Sequence, residues 1–453
     1  MKKKKKNIKI SKEELKDIIV KQKDTTWYPP VDATYHQVQT DSWFDIKIYN
    51  NINTPINLNI NINNDFENNY LIVKKISLFL TKEQKEILLD WLSSYTEMYN
   101  KTVEYVYKKL YETKRYVKSF HSLREKLMDQ KNKILEKSKH NNQSNYIRVH
   151  MLDGAINQVA SNIQTCLTNL KRGNIKKFRL RPLKVGRKNR IMKIEKSFFL
   201  KGNQISGLGK IKATYQDRIN GTINFDLDTI IYNYNKDCIL KYDSELNEYY
   251  LFVPYEVERQ VNNLNNYISL DPGLRKFLTG ITENQVVMIG TNIKSKIEKS
   301  IIRIKQLEKL KNKFVKKCKI IKYKRKLENR INDFHWKIIN YLTSNFKNIM
   351  IGNLSTKQII SKKSKIKFTG IYKQYAQKIQ LYKFRERLRD KCNRKSNNYK
   401  MINEWLTSQS CSKCGNIDST LGKKEIYDCC VCNLKMDRDV NSCRNILFKR
   451  HLV

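Results

Sequence analysis

The feature that most constrains this chain lies near its C-terminus, in NEWLTSQSCSKCGN and YDCCVCNLKMDRDVNSCRN, between Asn403 and Asn445. It holds two Cys-x-x-Cys pairs, Cys411/Cys414 and Cys429/Cys432, with residues 415–428 between them. Thiolates at that spacing present four sulfurs from two tight turns to a single tetrahedral Zn²⁺, so one structural zinc is expected. Using Cys430 would break the two-residue gap, and it is left out of the set. A closed four-sulfur site offers no position to a substrate. Chemistry has to come from neighbouring acids, of which Asp437 and Asp439 stand closest in the chain.

Charge narrows the partner. With 90 Lys+Arg against 43 Asp+Glu the formal net charge is +47, far more than solubility requires, which implies a polyanion. Nucleic acid is the natural candidate and an anionic membrane surface the weaker one. No apolar run reaches the roughly 18–20 residues that span a bilayer. Neither a membrane nor a small-molecule substrate is therefore expected. Four of the ten cysteines cluster in zinc spacing and the others, Cys430 aside, are scattered singly. That usage suits a reducing, intracellular compartment; a nuclear or viral nucleic-acid compartment is open. The opening run Met1–Lys6 reads as a nuclear address, a phosphate-gripping arm or a solvated tail.

Along the chain, residues 1–65 read as a partly disordered N-terminal extension, with a short helix at Ile8–Gln22 and a low-complexity linker at Asn50–Asn64. Residues 66–262 alternate from an expected strand near Leu71–Leu80 to helices and back to strands. Thr81 with Gln84 reads as a capping box, and further helices are expected at Ser119–Lys137 and Tyr146–Asn174. Strands are expected at Lys177–Leu180, Ile191–Ile194, Gln204–Ile205, Lys210–Thr214 and across Ile230–Tyr255. Strand, helical insertion, strands describes a small β-barrel carrying helices. Lys176, Lys177, Phe178, Arg179 and Arg181 interleave cations with an aromatic, a mix suited to phosphates and base stacking.

After an Asn-rich break at Asn262–Asn266, residues 263–408 read as strands with helices. Tyr267–Gly273 is a buried strand ending in an acid, followed by strands within Leu274–Thr282 and at Val286–Ile289. An antiparallel helix pair spans Ile293–Asn345, and Asn348–Leu354 is another buried strand. A mobile lysine-rich segment follows at Ser355–Lys373, with a helix marked by Leu381, Phe384, Leu388 and Cys392. A short strand at Met401–Leu406 precedes the ribbon (409–434), and residues 435–453 contain a last helix over Asp439–Leu447. Acids stand at element ends: Asp271, Glu404, Asp439. Carboxylates that converge on two Mg²⁺ or Mn²⁺ ions about 3.5–4 Å apart suit phosphodiester cleavage, although one Asp after a strand is most often a turn or cap residue.

The order SLDPG, IGNLS, LTSQSCSKCG, CxxC and DRDVNSCRNIL resembles the OrfB/TnpB transposon-associated proteins and their eukaryotic and viral Fanzor relatives, over roughly residues 70–450. That resemblance implies an α+β multidomain chain: an N-terminal β-barrel with an inserted helical bundle, then an RNase H-like (RuvC) α/β domain interrupted by a zinc ribbon. It also implies an RNA-guided, Mg²⁺-dependent DNA endonuclease, with guide RNA and target DNA as partners. By motif, Asp271 would be the first metal ligand and Asp439 the last, with Asp437 structural or, as the alternative, the ligand in place of Asp439. Family members commonly carry Glu where this chain has Gly352, and Fanzor-like members relocate it. Glu404 is then the expected third ligand, and Glu386 the second candidate. If neither enters the site, the chain reads as a catalytically impaired nucleic-acid-binding regulator of transposition. A transposase joining DNA ends by itself is the third reading.

Overall fold

The computed structural model describes residues 35–40, 43–49, 69–184, 186–217, 221–233, 237–260, 262–361, 369–422 and 424–449. The expected features at Met1–Lys6, Ile8–Gln22 and Asn50–Asn64 lie outside these, as do residues 362–368 of the lysine-rich segment. Two compact units emerge, one of residues 71–257 and one of the remaining described residues.

In the first unit, Thr81 opens the helix Lys82–Thr113 with the expected capping box. Its side chain accepts from the Gln84 N–H (3.2 Å), and Gln84 Oε1 accepts from the Thr81 N–H (3.0 Å). The helix buries Leu88, Trp91, Leu92, Tyr95, Met98 and Tyr99, positions at helical spacing. Where one helix was expected over Ser119–Lys137 there are two, Phe120–Lys126 and Met128–Asn141, parted where Leu127 leaves helical geometry. Inside the bundle, the buried Lys131 ammonium lies 3.0 Å from Asp153 on the helix Val149–Lys171.

The expected barrel takes the form of a six-stranded ladder. Its order is Asn189–Ile194, Cys238–Asp243, Glu248–Glu258, Asn69–Phe79, Lys212–Asp217, Gly221–Asn224. The two end strands are not paired with each other among the described residues. Two strand expectations fail. Lys177–Leu180 has no strand partner; instead the Tyr107 hydroxyl accepts from the Leu180 N–H (2.6 Å), laying the segment along the first helix. Ile230–Tyr255 breaks into the helix Asp228–Asn233 and the hairpin Cys238–Asp243/Glu248–Glu258. Asp226, whose Oδ1 accepts from the Asp228 N–H (3.0 Å), favours the helical start over extension.

The second unit is built on a seven-stranded sheet. Its strands are β1 (Tyr35–Thr40), β2 (Asp45–Tyr49), β3 (Tyr267–Pro272), β4 (Leu278–Ile281), β5 (Val286–Ile289), β6 (Asn348–Gly352) and β7 (Asn398–Ile402). Across the sheet they run β1–β2–β5–β4–β3–β6–β7. Pairs from β1 to β3 are antiparallel, whereas β3/β6 and β6/β7 are parallel. Parallel neighbours need long crossovers, and the helix pair α1 (Ile293–Glu308) and α2 (Lys313–Asn345) fills the first. Helices Thr356–Ile360, Gly370–Lys378 and α3 (Leu381–Arg394) fill the second, and α4 (Arg438–Phe448) closes the described chain. β1 and β2 come from a segment expected to be extension only. Asp45 ties β2 in: its carboxylate accepts from the Thr291 N–H (3.0 Å) and its carbonyl from the Gly290 N–H (3.0 Å).

Strand periodicity sorts the side chains onto two faces. Ile268, Leu270, Ile349 and Ile351 point into a core with Ile297, Ile338 and Phe384 of α1, α2 and α3. Tyr267, Met350 and Ile402 join a second core with the ribbon and with Val440, Cys443 and Ile446 of α4. Asp271 shares its face with Tyr267, and Gly352 shares its face with Met350. Both therefore belong to the α4 side.

Candidate active site and metal centre

The two cysteine knuckles repeat one hydrogen-bond pattern. The Cys411 N–H donates to Asn416 O (2.7 Å) and the Gly415 N–H to Cys411 O (3.0 Å). Correspondingly, the Cys429 N–H donates to Leu434 O and the Asn433 N–H to Cys429 O, both 2.9 Å. The residue after each second cysteine, Gly415 or Asn433, takes positive φ (76° and 56°), a conformation these two residue types tolerate best. The turns bring the four sulfurs within 4.8 Å of one another. A Zn–S tetrahedron with bonds near 2.3 Å has edges of about 3.8 Å, so the set could hold a zinc ion. Burial pushes the Cys411 and Cys414 thiols up, Cys414 to about 11, and bound cation would reverse that shift. Cys430 is exposed and stays outside the set.

The acids assemble differently. Asp271 sits at the carboxyl end of β3, Gly352 ends β6, and Glu404 lies two residues beyond β7. These are three consecutive parallel neighbours, and open α/β sheets place ligands beyond such strand ends. α4 delivers Asp439 in its first turn. It is fastened to the sheet by Ser269 Oγ donating to Cys443 O (2.8 Å) and Cys443 Sγ donating to Thr279 O (3.0 Å). Burial pushes the Asp271 carboxyl well above the usual carboxylate range, and the charges of Glu404 and Asp439 push it further. Arg438 and a hydrogen bond with Ser442 oppose the shift. The three acids named from sequence are thus neighbours, each partly open to solvent.

Glu404 is not on a strand, as expected for Met401–Leu406, but on the turn after β7. Its Oε1 accepts from the Leu354 N–H (2.9 Å), and its own N–H donates to Asn353 Oδ1 (3.2 Å). A β-carbon built on Gly352 would lie 2.7 Å from Glu404 Cγ and Cδ and nearer still to Oε1. The carboxylate fills the space a side chain at 352 would take. Burial raises Glu404 to about 7, against the Leu354 N–H and the Arg385 and Lys449 cations. Glu386 is turned elsewhere, its carboxylate 2.5 Å from Arg389.

Asp437 is the N-cap of α4, its Oδ1 accepting from the Asp439 (2.9 Å) and Val440 (3.2 Å) N–H groups. Sequence reasoning missed the surrounding cations. Arg438 Nη2 donates to Asp439 Oδ1 (3.0 Å), and Lys276 Nζ lies 2.6 Å from Asp437 and 3.8 Å from Asp439. Arg385 Nη1 donates to Leu354 O (2.8 Å), bracing the residue whose N–H holds Glu404. Lys449 Nζ donates to Asn403 O (3.4 Å) and to Trp405 O, the carbonyls on either side of Glu404. Only the sequence adjacency of Arg438 to Asp439 hinted at this collar. Among the described residues, the cysteines alone form a close-packed set of metal-type ligands.

In the first unit, Lys176, Lys177, Arg179 and Arg181 are exposed. Phe178 is half-buried and stacks on Tyr116 (centroids 5.1 Å, 27°). No described helix is long and apolar enough to cross a membrane.

Two family models match. One described as "Cas12f1-like, TNB domain" covers residues 382–446, and one described as "Probable transposase" covers residues 252–363. Two TnpB-like proteins of Acanthamoeba polyphaga mimivirus are each 31% identical to this chain. The first alignment covers 96% of this chain and 88% of the relative, the second 93% and 84%. A putative transposase of Paramecium bursaria Chlorella virus 1 is 24% identical over 65% of this chain and 68% of its own.

Proposed function

Because this chain belongs to the TnpB-like proteins, we propose that it is an RNA-guided, divalent-metal-dependent DNA endonuclease acting in transposition or element maintenance. The observation that carries the reading is the filled space at Gly352. A glycine there looks like a lost ligand, yet the Glu404 carboxylate occupies the position and faces the acid set from the neighbouring turn. The chain keeps three acids, which weighs against the impaired-regulator reading.

Asp271, Glu404 and Asp439 are the residues that would hold two hard cations, Mg²⁺ or Mn²⁺. Such a pair supplies an activated water and neutralises charge on the leaving oxygen. The chain's own part is placement. β3 and the β7 turn set two carboxylates on a rigid sheet edge, and Asp437 caps α4 so that Asp439 faces them. Arg438 and Lys276 balance Asp439 until a cation replaces them. The exposed cations Lys176, Lys177, Arg179 and Arg181 are suited to phosphate backbones, leaving sequence recognition to base pairing.

The test is to purify the protein with its bound nucleic acid, sequence the RNA, and assay cleavage of a DNA matching it. RNA from the flank of its own gene, with Mg²⁺-dependent cutting abolished in Asp271→Ala, is the expected result. Random cellular RNA, or cutting that persists in Asp271→Ala, overturns the reading.

A further inference from the structure

Glu404 and Trp405 are consecutive on the segment after β7. The acid points in against Gly352, while the indole beside it is 45% exposed. Among the described tryptophans it is the one so placed, since Trp91 is buried and Trp43 and Trp336 are half-buried. The turn beneath it is fixed at every residue. The Trp405 N–H donates to Asn403 Oδ1 (3.0 Å), and its carbonyl accepts from Lys449. The Glu404 carbonyl accepts from the Thr407 N–H (3.1 Å) and from Thr407 Oγ1 (2.9 Å). An exposed indole on a mobile loop would say little, but this one is held on a rigid turn.

Lys449 does not account for it. The ammonium lies 6.0 Å from the ring centroid, the outer limit of a useful cation–π contact, and already has two carbonyl acceptors. A nearly half-exposed indole thus stands one residue from a candidate metal ligand, in a chain of net charge +47. Aromatic faces in cationic surroundings are how proteins hold unpaired nucleic acid strands.

We propose that Trp405 is a stacking platform for one nucleobase of a single-stranded DNA segment, placing the adjoining phosphodiester at Asp271, Glu404 and Asp439. The proposal rests on the nuclease reading for its purpose, though not for its test. A base inside a duplex is covered on both faces, so the platform accepts an unpaired strand. Every base has a π face, so it imposes little sequence preference. Trp405 is a positioning residue and takes no part in bond making.

The experiment measures equilibrium binding of short, labelled single-stranded oligonucleotides to the full-length protein with its bound RNA, at fixed salt, without chelator and with Mg²⁺ and Mn²⁺ left out. The strands carry a single abasic position walked along their length. Trp405→Leu keeps an apolar cover over Lys449 but cannot stack. It is expected to weaken binding of the intact strand about 5- to 150-fold, the range for losing one stacked base, with Trp405→Phe recovering most of it. The abasic strand at one position should bind wild type as weakly as intact strand binds Trp405→Leu, with no further loss when the two are combined. Equal losses for Trp405→Leu on intact and all abasic strands, or no loss, overturn the proposal. Should Trp405→Leu not fold, the abasic walk on wild type and Trp405→Phe decides alone. Because neither Mg²⁺ nor Mn²⁺ is present, a protein that cuts nothing but keeps the single abasic position retains the platform and loses the nuclease reading. Normal cutting with flat abasic binding does the reverse.

Discussion

The sulfur set and the acid set sit on the same face of one sheet, yet they were built by opposite means. The cysteines come from a window of chain closed by two copies of one turn, so their geometry is local and nearly independent of the sheet. The acids come from β3, from the turn after β7 and from α4, so theirs exists only once the whole unit has folded. Local geometry leaves its mark as spacing, and assembled geometry leaves none. The contrast also sets what each can tolerate. The knuckles bring four thiols together in a set that could hold a metal, whereas Asp439 and Glu404 already have cations beside them in Arg438, Lys276, Arg385 and Lys449.

The contrast breaks most visibly on metal removal. Structural zinc contributes apparent free energies of about 10–16 kcal/mol in small finger peptides. Cys411→Ser or chelation is therefore expected to release zinc and expose residues 409–434 to hydrogen exchange, with α4 loosened through the shared core. Wild-type protein that carries no zinc, or Cys411→Ser with unchanged zinc content and exchange, would show that the sulfurs are not a metal site. At the acids, Glu404→Gln keeps shape and removes charge. Cleavage should fall roughly 10²–10³-fold, the scale for losing one electrostatic contributor, with the melting temperature unchanged or raised. Activity near wild type would remove Glu404 from the ligand set.

Gly352→Ala sharpens the comparison next. Its methyl would collide with the Glu404 carboxylate, and overpacking costs about 1–3 kcal/mol. Glu404→Ala on the same chain should erase most of that cost, so a double-mutant cycle on denaturant midpoints reads the coupling directly; additivity would show that the two positions do not share space. A separate test concerns acid sensitivity. His335 is buried against Phe277 and Phe384, with Arg387 donating to Nδ1 (3.4 Å) and Nε2–H donating to Ile379 O (2.9 Å). Burial, with Arg387 adding, lowers its pKa to about 3 from 6.5. The unfolded chain thus binds the proton first, and stability is lost as pH falls from 6.5 towards 3. One proton gives at most about 1.4 kcal/mol per pH unit. His335→Leu should start less stable but with a flatter melting-temperature profile across that range; an unchanged slope would clear His335.

Much of the frame was legible where sequence rules are local. The Thr81/Gln84 box, the α1/α2 pair and the buried strand around Met350 formed as their patterns required. Failures occurred where a partner decided. Lys177–Leu180 had strand composition and pairs with no strand among the described residues, while Asp45–Tyr49 found its partner in β5, more than two hundred residues away. Glu404 was nameable from sequence as an acid at an element end, and more sharply through Gly352, where the glutamate of related chains is missing. The cations gripping its turn were not, because Lys449 and Arg385 act on main-chain carbonyls that any residue would supply.

The addition of β2 beside β5 has a practical outcome for anyone shortening this protein. Cutting the chain ahead of the residue 69 strand would seem to discard only a tail of asparagine and lysine. It would leave β5 as a raw border, its row of main-chain donors and acceptors open to the next molecule that offers a strand. A trimmed version should therefore pair with its own copies and come out of solution, whatever becomes of its chemistry.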